Sequence, residues 1–152
     1  MVTLAKELEH VDAYLSLEQA RFPGKFTLRR DIDPDMMQVL VPPFTLQPLV
    51  ENALKHAFPS ARYEGAVTVT AHAQEGSLQI NVSDNGSGIP EDKVRQLGYR
   101  HMSSEQGTGT ALWNIRERLL SLYGEEAEFH VQSVVGKGTS VQLTVPIRRE
   151  EA

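Results

Sequence analysis

The chain has 152 residues, no cysteine, and 20 acidic against 15 basic side chains, for a net charge of −5. That length suits one domain with a core large enough to fold without staples, and the lack of cysteine excludes disulfide scaffolds, thiol redox motifs and cysteine nucleophiles. The acidic balance argues against nucleic acid as a partner, and no apolar run approaches the ~20 residues of a membrane span.

Leu4, Leu8, Val11 and Leu15 recur at steps of four, three and four. This spacing predicts an amphipathic helix with Thr3 as its cap and Pro23-Gly24 as its stop. The pattern starts so near Met1 that the sequence reads as part of a longer chain. The helix either packs on the domain or connects it to something upstream. Phe26 to Ile32 alternates and predicts a strand, and Asp33-Pro34-Asp35 a turn. Val39 to Val41 leads into Pro42-Pro43, a stiff extended entry. A second helix is expected from Thr45 to Phe58, with Thr45 as N-cap and Pro48 in the first turn.

Val67, Val69 and Ala71 share one face of a strand, and Leu78, Ile80 and Val82 one face of the next, with Glu75-Gly76 at the turn. A short helix is expected from Pro90 to Leu97. Residues 98–109 are polar and rich in Gly, Ser and Thr, as in a loop or lid. Leu112, Ile115, Leu119 and Leu122 mark a third helix ending near Gly124. Two strands close the chain, Phe129 to Val134 and Val141 to Ile147, joined at Gly136-Lys137-Gly138. Arg148 to Ala152 reads as a solvated tail. Strands joined mostly by hairpins, with few helices, predict an α+β fold. Its form is a two-layer sandwich, with a mixed, mostly antiparallel sheet and helices on one face.

Three constellations carry chemistry. Asp84 falls on the same face as Leu78, Ile80 and Val82, where a carboxylate is costly unless hydrogen-bonded. It stands beside Asn85, Gly86, Ser87 and Gly88, and suits an acceptor for a ligand's exocyclic amine. The plain alternative is a DNG turn. On the second helix, Asn52 sits close to the apolar arc of Leu49, Val50, Ala53, Leu54 and Ala57. It fits an oxygen ligand for a hard cation, with Lys55 beside it for phosphate. The plain alternative is a polar seam and a Glu51–Lys55 surface pair. Gly107 and Gly109 open the third helix, and a glycine-rich helix start can bind phosphate through free N–H groups.

Together and in this order, the three resemble one family. PFTLQPLVENALKHA is similar to its N box, DNGSGI to its G1 box and GTGTALWNIRERL to its G2 box, while GKGTSVQLTVP resembles its closing hairpin. The family is the ATP-binding catalytic domain of sensor histidine kinases, within the superfamily of gyrase, Hsp90 and MutL. The wording LQPLVENALKHA, with the lead-in ELEHVDAYLSLEQARF, is most similar to LytS-type kinases.

The resemblance implies that Asn52 holds Mg²⁺ against the phosphates of ATP and that Lys55 and His56 touch phosphate. Asp84 would accept from the adenine amine, with Thr139 helping through water. Gly86, Gly88 and Ile89 would pass close to the base. Residues 97–108 would form a lid, with Gly107, Thr108, Gly109 and Thr110 on the phosphates. Glu51 and Lys55 are the candidate catalytic residues, Glu51 to orient or deprotonate an acceptor.

That acceptor, a His on an upstream dimerisation segment, is not in this sequence; His10 lies in a connector-like context. His72, His101 and His130 read as surface or lid residues. The implied division is a connector helix over 1–22, a catalytic domain over 23–148 and a tail over 149–152. The implied setting is the cytoplasmic part of a membrane-bound homodimer that serves a response regulator.

The sequence departs from the family pattern in three places. Ala111 stands where the G2 box usually has glycine, and the lid lacks a Phe-rich box. Pro48 stands where ATPase branches place a water-activating Glu, which disfavours a free-running ATPase or an ATP-driven clamp. A nucleotide-binding relay without catalysis is the remaining alternative.

Overall fold

The computed structural model describes residues 1–21, 26–57, 65–86 and 108–150, with backbone only at 55–57 and 108–111. A short strand β1 (Val2–Thr3) runs into helix α1 (Leu4–Arg21). Strand β2 (Phe26–Ile32), a 3-10 turn at Pro34–Met36 and strand β3 (Leu40–Val41) lead to helix α2 (Leu46–Ala57). Strands β4 (Gly65–Gln74) and β5 (Ser77–Asp84) follow. Then come helix α3 (Thr108–Tyr123), a 3-10 turn at Gly124–Glu126, and strands β6 (Glu128–Val134) and β7 (Gly138–Pro146). The five-stranded sheet has the order β2-β4-β5-β7-β6. Only β2 and β4 pair in parallel; the other three pairings are antiparallel. Strands β1 and β3 form a separate antiparallel ribbon.

One face of the sheet carries Val67, Val69, Ala71, Leu78, Ile80, Val82, Val141, Leu143 and Val145, all buried. Helix α2 packs on β4, β5 and β7, and α3 on β7. The opposite face is polar, with Asn81, Gln142, Ser140 and His130 lining a shallow depression. The expected α+β sandwich, with a mixed, mostly antiparallel sheet and helices on one face, is the observed one. The β4–β5 loop is two residues, Glu75 and Gly76, both at positive φ, as the primed hairpin turns require.

Helix α1 buries the predicted stripe of Leu4, Leu8, Val11 and Leu15, each worth roughly 1.5–3 kcal/mol relative to exposure. Its first turn is well supplied with acceptors. Thr3 Oγ1 accepts from the Lys6 N–H, and the carbonyls of Val39 and Met37 accept from Leu4 and Ala5.

Four expectations need correction. Thr45 does not cap α2 with its side chain, which donates instead to the Pro42 carbonyl at 2.7 Å. The acceptor at the start of α2 is Glu7 of α1: its Oε1 takes the N–H groups of Thr45 and Leu46 at 2.7 and 3.2 Å. A carboxylate is the stronger acceptor there and also meets the positive end of the helix dipole.

In α3, Tyr123 is buried and Leu122 is 48% exposed, because the core continues at a step of four from Leu119 rather than three. Asp33-Pro34-Asp35 is a capped 3-10 turn, with Asp33 accepting from the Asp35 N–H. Arg148 and Arg149 are exposed yet tethered. The Arg148 carbonyl accepts from Leu40, its guanidinium stacks 4.9 Å from the Tyr123 ring centroid, and Arg149 donates to the Asp35 carbonyl.

Candidate functional site

Asp84 ends β5, directly opposite Thr139 of β7. Its Oδ1 accepts from the Gly86 N–H at 2.8 Å, and the Thr139 N–H also donates to the carboxylate. Burial pushes the carboxyl up to about 6 from an ordinary 3.8, against those two N–H bonds, which pull it down. Desolvation therefore outweighs hydrogen bonding, the signature of an acceptor aimed into a low-dielectric pocket. Asn85 does structural work beside it. Its Oδ1 accepts from the Ala66 N–H at 2.8 Å and its own N–H donates to the Ala66 carbonyl, so the chain is pinned to β4 as it leaves the strand.

Gly138 explains how β7 approaches so closely. Its φ is +132°, and a Cβ at this position would overlap the Asp84 carbonyl oxygen. Both effects require glycine. Gly138→Ala is expected to cost about 2 kcal/mol of stability or more and to weaken ADP binding at least tenfold by displacing Asp84. Denaturant midpoints and calorimetric titration check this; unchanged values in both would refute the role.

Asn52 lies on the inner side of α2, 4% exposed, and its Oδ1 is buried with no hydrogen-bond partner. An orphaned buried oxygen is costly unless a ligand or ion completes it. The geometry fits an oxygen donor for a hard cation such as Mg²⁺. Glu51, one residue earlier, is turned toward α1. Its Oε1 accepts from Gln47 at 3.0 Å, and its charge reaches the Tyr14 phenol. Burial raises that phenol to about 12, with Glu18 and Glu51 adding to the rise and Arg21 opposing it.

Thr139 is buried, and its hydroxyl lies 2.8 Å from Ser133 Oγ. Gly86 is buried at the turn after Asp84. Helix α3 begins at Thr108, with Gly109 and Thr110 in its first turn. Lys55 and His56 lie in the last turn of α2, where only the backbone is described. Gly88, Ile89, Gly107 and the expected Pro90–Leu97 helix lie outside the described residues, as does most of the expected lid.

Three contributors escaped the sequence reading. Ser133 extends the Asp84–Thr139 row by one strand. Glu7 holds the start of α2. Arg118 of α3 donates to the carbonyls of Pro43 and Phe44 at 2.9 and 2.6 Å, holding Phe44 at a positive φ of 59°. Only Glu7 left a signal: it stands inside the apolar stripe of α1, where a carboxylate is anomalous.

Comparison with known proteins agrees with this arrangement. The "Sensor protein LytS" of Bacillus subtilis (strain 168) is 48% identical over 98% of this chain, which spans 25% of that protein. The blue-light activated histidine kinase of Erythrobacter litoralis EL346 superposes with a TM-score of 0.66 at 25% identity, over 95% of this chain and 42% of that one. The catalytic domain of the histidine kinase ThkA superposes at 0.73, over 96% of this chain and 95% of that one; at 14% identity it speaks for the fold alone. The chain thus spans about a quarter of the curated relative's length. No described helix is long and apolar enough to cross a membrane. A family model covers residues 44–149, from the loop before α2 to the end of β7 and beyond, and the chain belongs to that family, the histidine kinase-, DNA gyrase B- and HSP90-like ATPases.

Proposed function

We propose that this chain is the ATP-binding catalytic module of a two-component sensor histidine kinase. It presents the γ-phosphoryl of ATP to a histidine on a separate upstream dimerisation segment. The observation that carries the reading is the buried, unpartnered Oδ1 of Asn52 on the helix that packs over the strand ending in Asp84. Asp84 and Thr139 hold the adenine, with Gly86, Gly88 and Ile89 passing close to the ring. Asn52 is the ligand for Mg²⁺, which when bound neutralises phosphate charge and orients the γ-phosphoryl. Lys55, His56 and the first turn of α3, with Gly107, Thr108, Gly109 and Thr110, hold phosphate oxygens.

Catalysis on this reading is positioning and charge neutralisation. Glu51 stands beside Asn52 and faces α1, a side suited to orienting the incoming histidine. Pro48 occupies the place where an ATPase needs its base, so turnover without an acceptor is expected to be slow. Residues 1–22 serve as connector to the acceptor segment, 23–148 as the catalytic domain and 149–152 as its tail. The whole protein would be a membrane-bound homodimer with this domain in the cytoplasm, passing its phosphoryl group to a response regulator.

The test is calorimetric titration of ATP with and without Mg²⁺, then phosphotransfer to the parent's upstream segment. Wild type should bind ATP more tightly with Mg²⁺, and Asn52→Ala should lose that difference while keeping metal-free ADP binding. A variant with the full Mg²⁺ effect would sink the assignment. An acid-labile product on the upstream segment is expected; nucleotide binding without transfer would make the module a relay.

A further inference from the structure

On the face of the sheet turned to the helices, Ser133, Thr139 and Asp84 form one row across β6, β7 and β5, each directly opposite the next. Ser133 Oγ donates to the Gly138 carbonyl at 3.0 Å and lies 2.8 Å from Thr139 Oγ1. A carbonyl can only accept, and a serine hydroxyl has one proton. If that proton pointed at Thr139 instead, two oxygens would face each other at 3.0 Å with no hydrogen between them. The proton shared by the two hydroxyls therefore belongs to Thr139. The Thr139 N–H is also committed, to the Asp84 carboxylate. With its proton and its N–H both used, Thr139 has only hydroxyl lone pairs left to offer. At the Asp84 end, the row presents acceptors alone.

We infer that Ser133 is a specificity-determining residue. By taking the Thr139 proton it fixes the wall of the base pocket as acceptor-only, which selects a purine with an amino group at position 6 over one with a carbonyl there. The inference rests on the reading of Asp84 and Thr139 as the base pocket. Ser133 acts through Thr139 and is a positioning residue, not one that touches the base. The chemistry is general: a site whose polarity is fixed by its own hydrogen bonds rejects a ligand of the opposite polarity more strongly than an adaptable hydroxyl does. A free threonine hydroxyl can rotate to donate; one held by Ser133 cannot do so without leaving a bond unmade.

The experiment measures ADP and inosine diphosphate affinity by calorimetry, since inosine replaces the 6-amino group with a carbonyl. Ser133→Ala frees the Thr139 proton, so the preference for ADP over inosine diphosphate should fall about 5- to 10-fold, a change of one neutral hydrogen bond. Ser133→Thr keeps a hydroxyl at the same place and should restore the wild-type ratio. A purely structural role would weaken both nucleotides alike and leave the ratio unmoved. Asp84→Asn is the control for the underlying reading. If Asp84→Asn loses ADP while Ser133→Ala keeps the wild-type ratio, the pocket stands and the role of Ser133 is overturned. If Asp84→Asn binds ADP as wild type does, the pocket reading fails and takes the inference with it.

Discussion

Asp84→Asn is expected to weaken adenine-nucleotide binding by about 100-fold or more while leaving the fold as stable as wild type, or more so, at neutral pH. The two sites of Asp84 hydrogen bonding explain the first half. An asparagine oxygen can still accept from the Gly86 and Thr139 N–H groups, which turns its NH₂ toward the pocket. A donor then faces the donor amine of adenine. The loss is a charge-assisted hydrogen bond, worth about 1.5–3 kcal/mol, together with the unmade bonds of two opposed donors.

The second half follows from the carboxyl's raised pKa. Its folded value of about 6 exceeds the ordinary 3.8, so the folded state prefers the protonated acid. The stability contributed by this group is present below about pH 4 and lost as pH rises through about 6. Asparagine has no such titration. Melting temperatures from pH 4 to 7 should show a downward component in wild type that the variant lacks. A variant that melts well below wild type at pH 7 would mean that Asp84 is structural.

Much of this was legible in the chain because its causes are local. Period-two alternation placed Val67, Val69, Leu78, Ile80 and Val82 on one face, and that same alternation exposed Asp84 as a carboxylate in line with core residues. Asn52 was conspicuous in the same way, an amide beside an apolar arc. What stayed hidden depends on residues far apart in sequence. Thr45 satisfies the local rule for an N-cap, yet a carboxylate 38 residues away occupies the position. Arg118 reaches back 75 residues to Pro43. Nothing in ARRE-type endings distinguishes a solvated arginine from one stacked on Tyr123. Ser133 reads as an ordinary strand serine until the register with Thr139 is known. Local pattern finds the residue that is out of place; only the assembled sheet shows what it is out of place for.

Glu7 carries the other large expected effect. It is fully buried, and Oε1 alone satisfies the N–H groups of Thr45 and Leu46, both buried themselves. Oε2 has no hydrogen-bond partner and lies 3.7 Å from His10 Nδ1. Glu7→Ala leaves two buried N–H groups without an acceptor, each costing about 1–3 kcal/mol, and removes a negative charge from the start of a helix. A loss of roughly 3–5 kcal/mol is expected, which for a domain of this size lowers the melting temperature by about 6–20 °C.

Glu7→Gln should lose far less, because its amide oxygen still accepts from both N–H groups and its NH₂ can turn toward the His10 ring nitrogen. The cost to function follows from where α2 leads. Asn52 stands less than two turns beyond Leu46, so a helix whose first turn is unpinned holds its metal ligand less firmly. In Glu7→Ala, measured at a temperature where the variant is folded, Mg²⁺-dependent ATP affinity should fall more than metal-free ADP affinity, which depends on Asp84 across the layer. Equal losses for the two ligands would show that Glu7 only stabilises the fold. Near-equal stability of Ala and Gln variants would show that the start of α2 does not need the carboxylate at all.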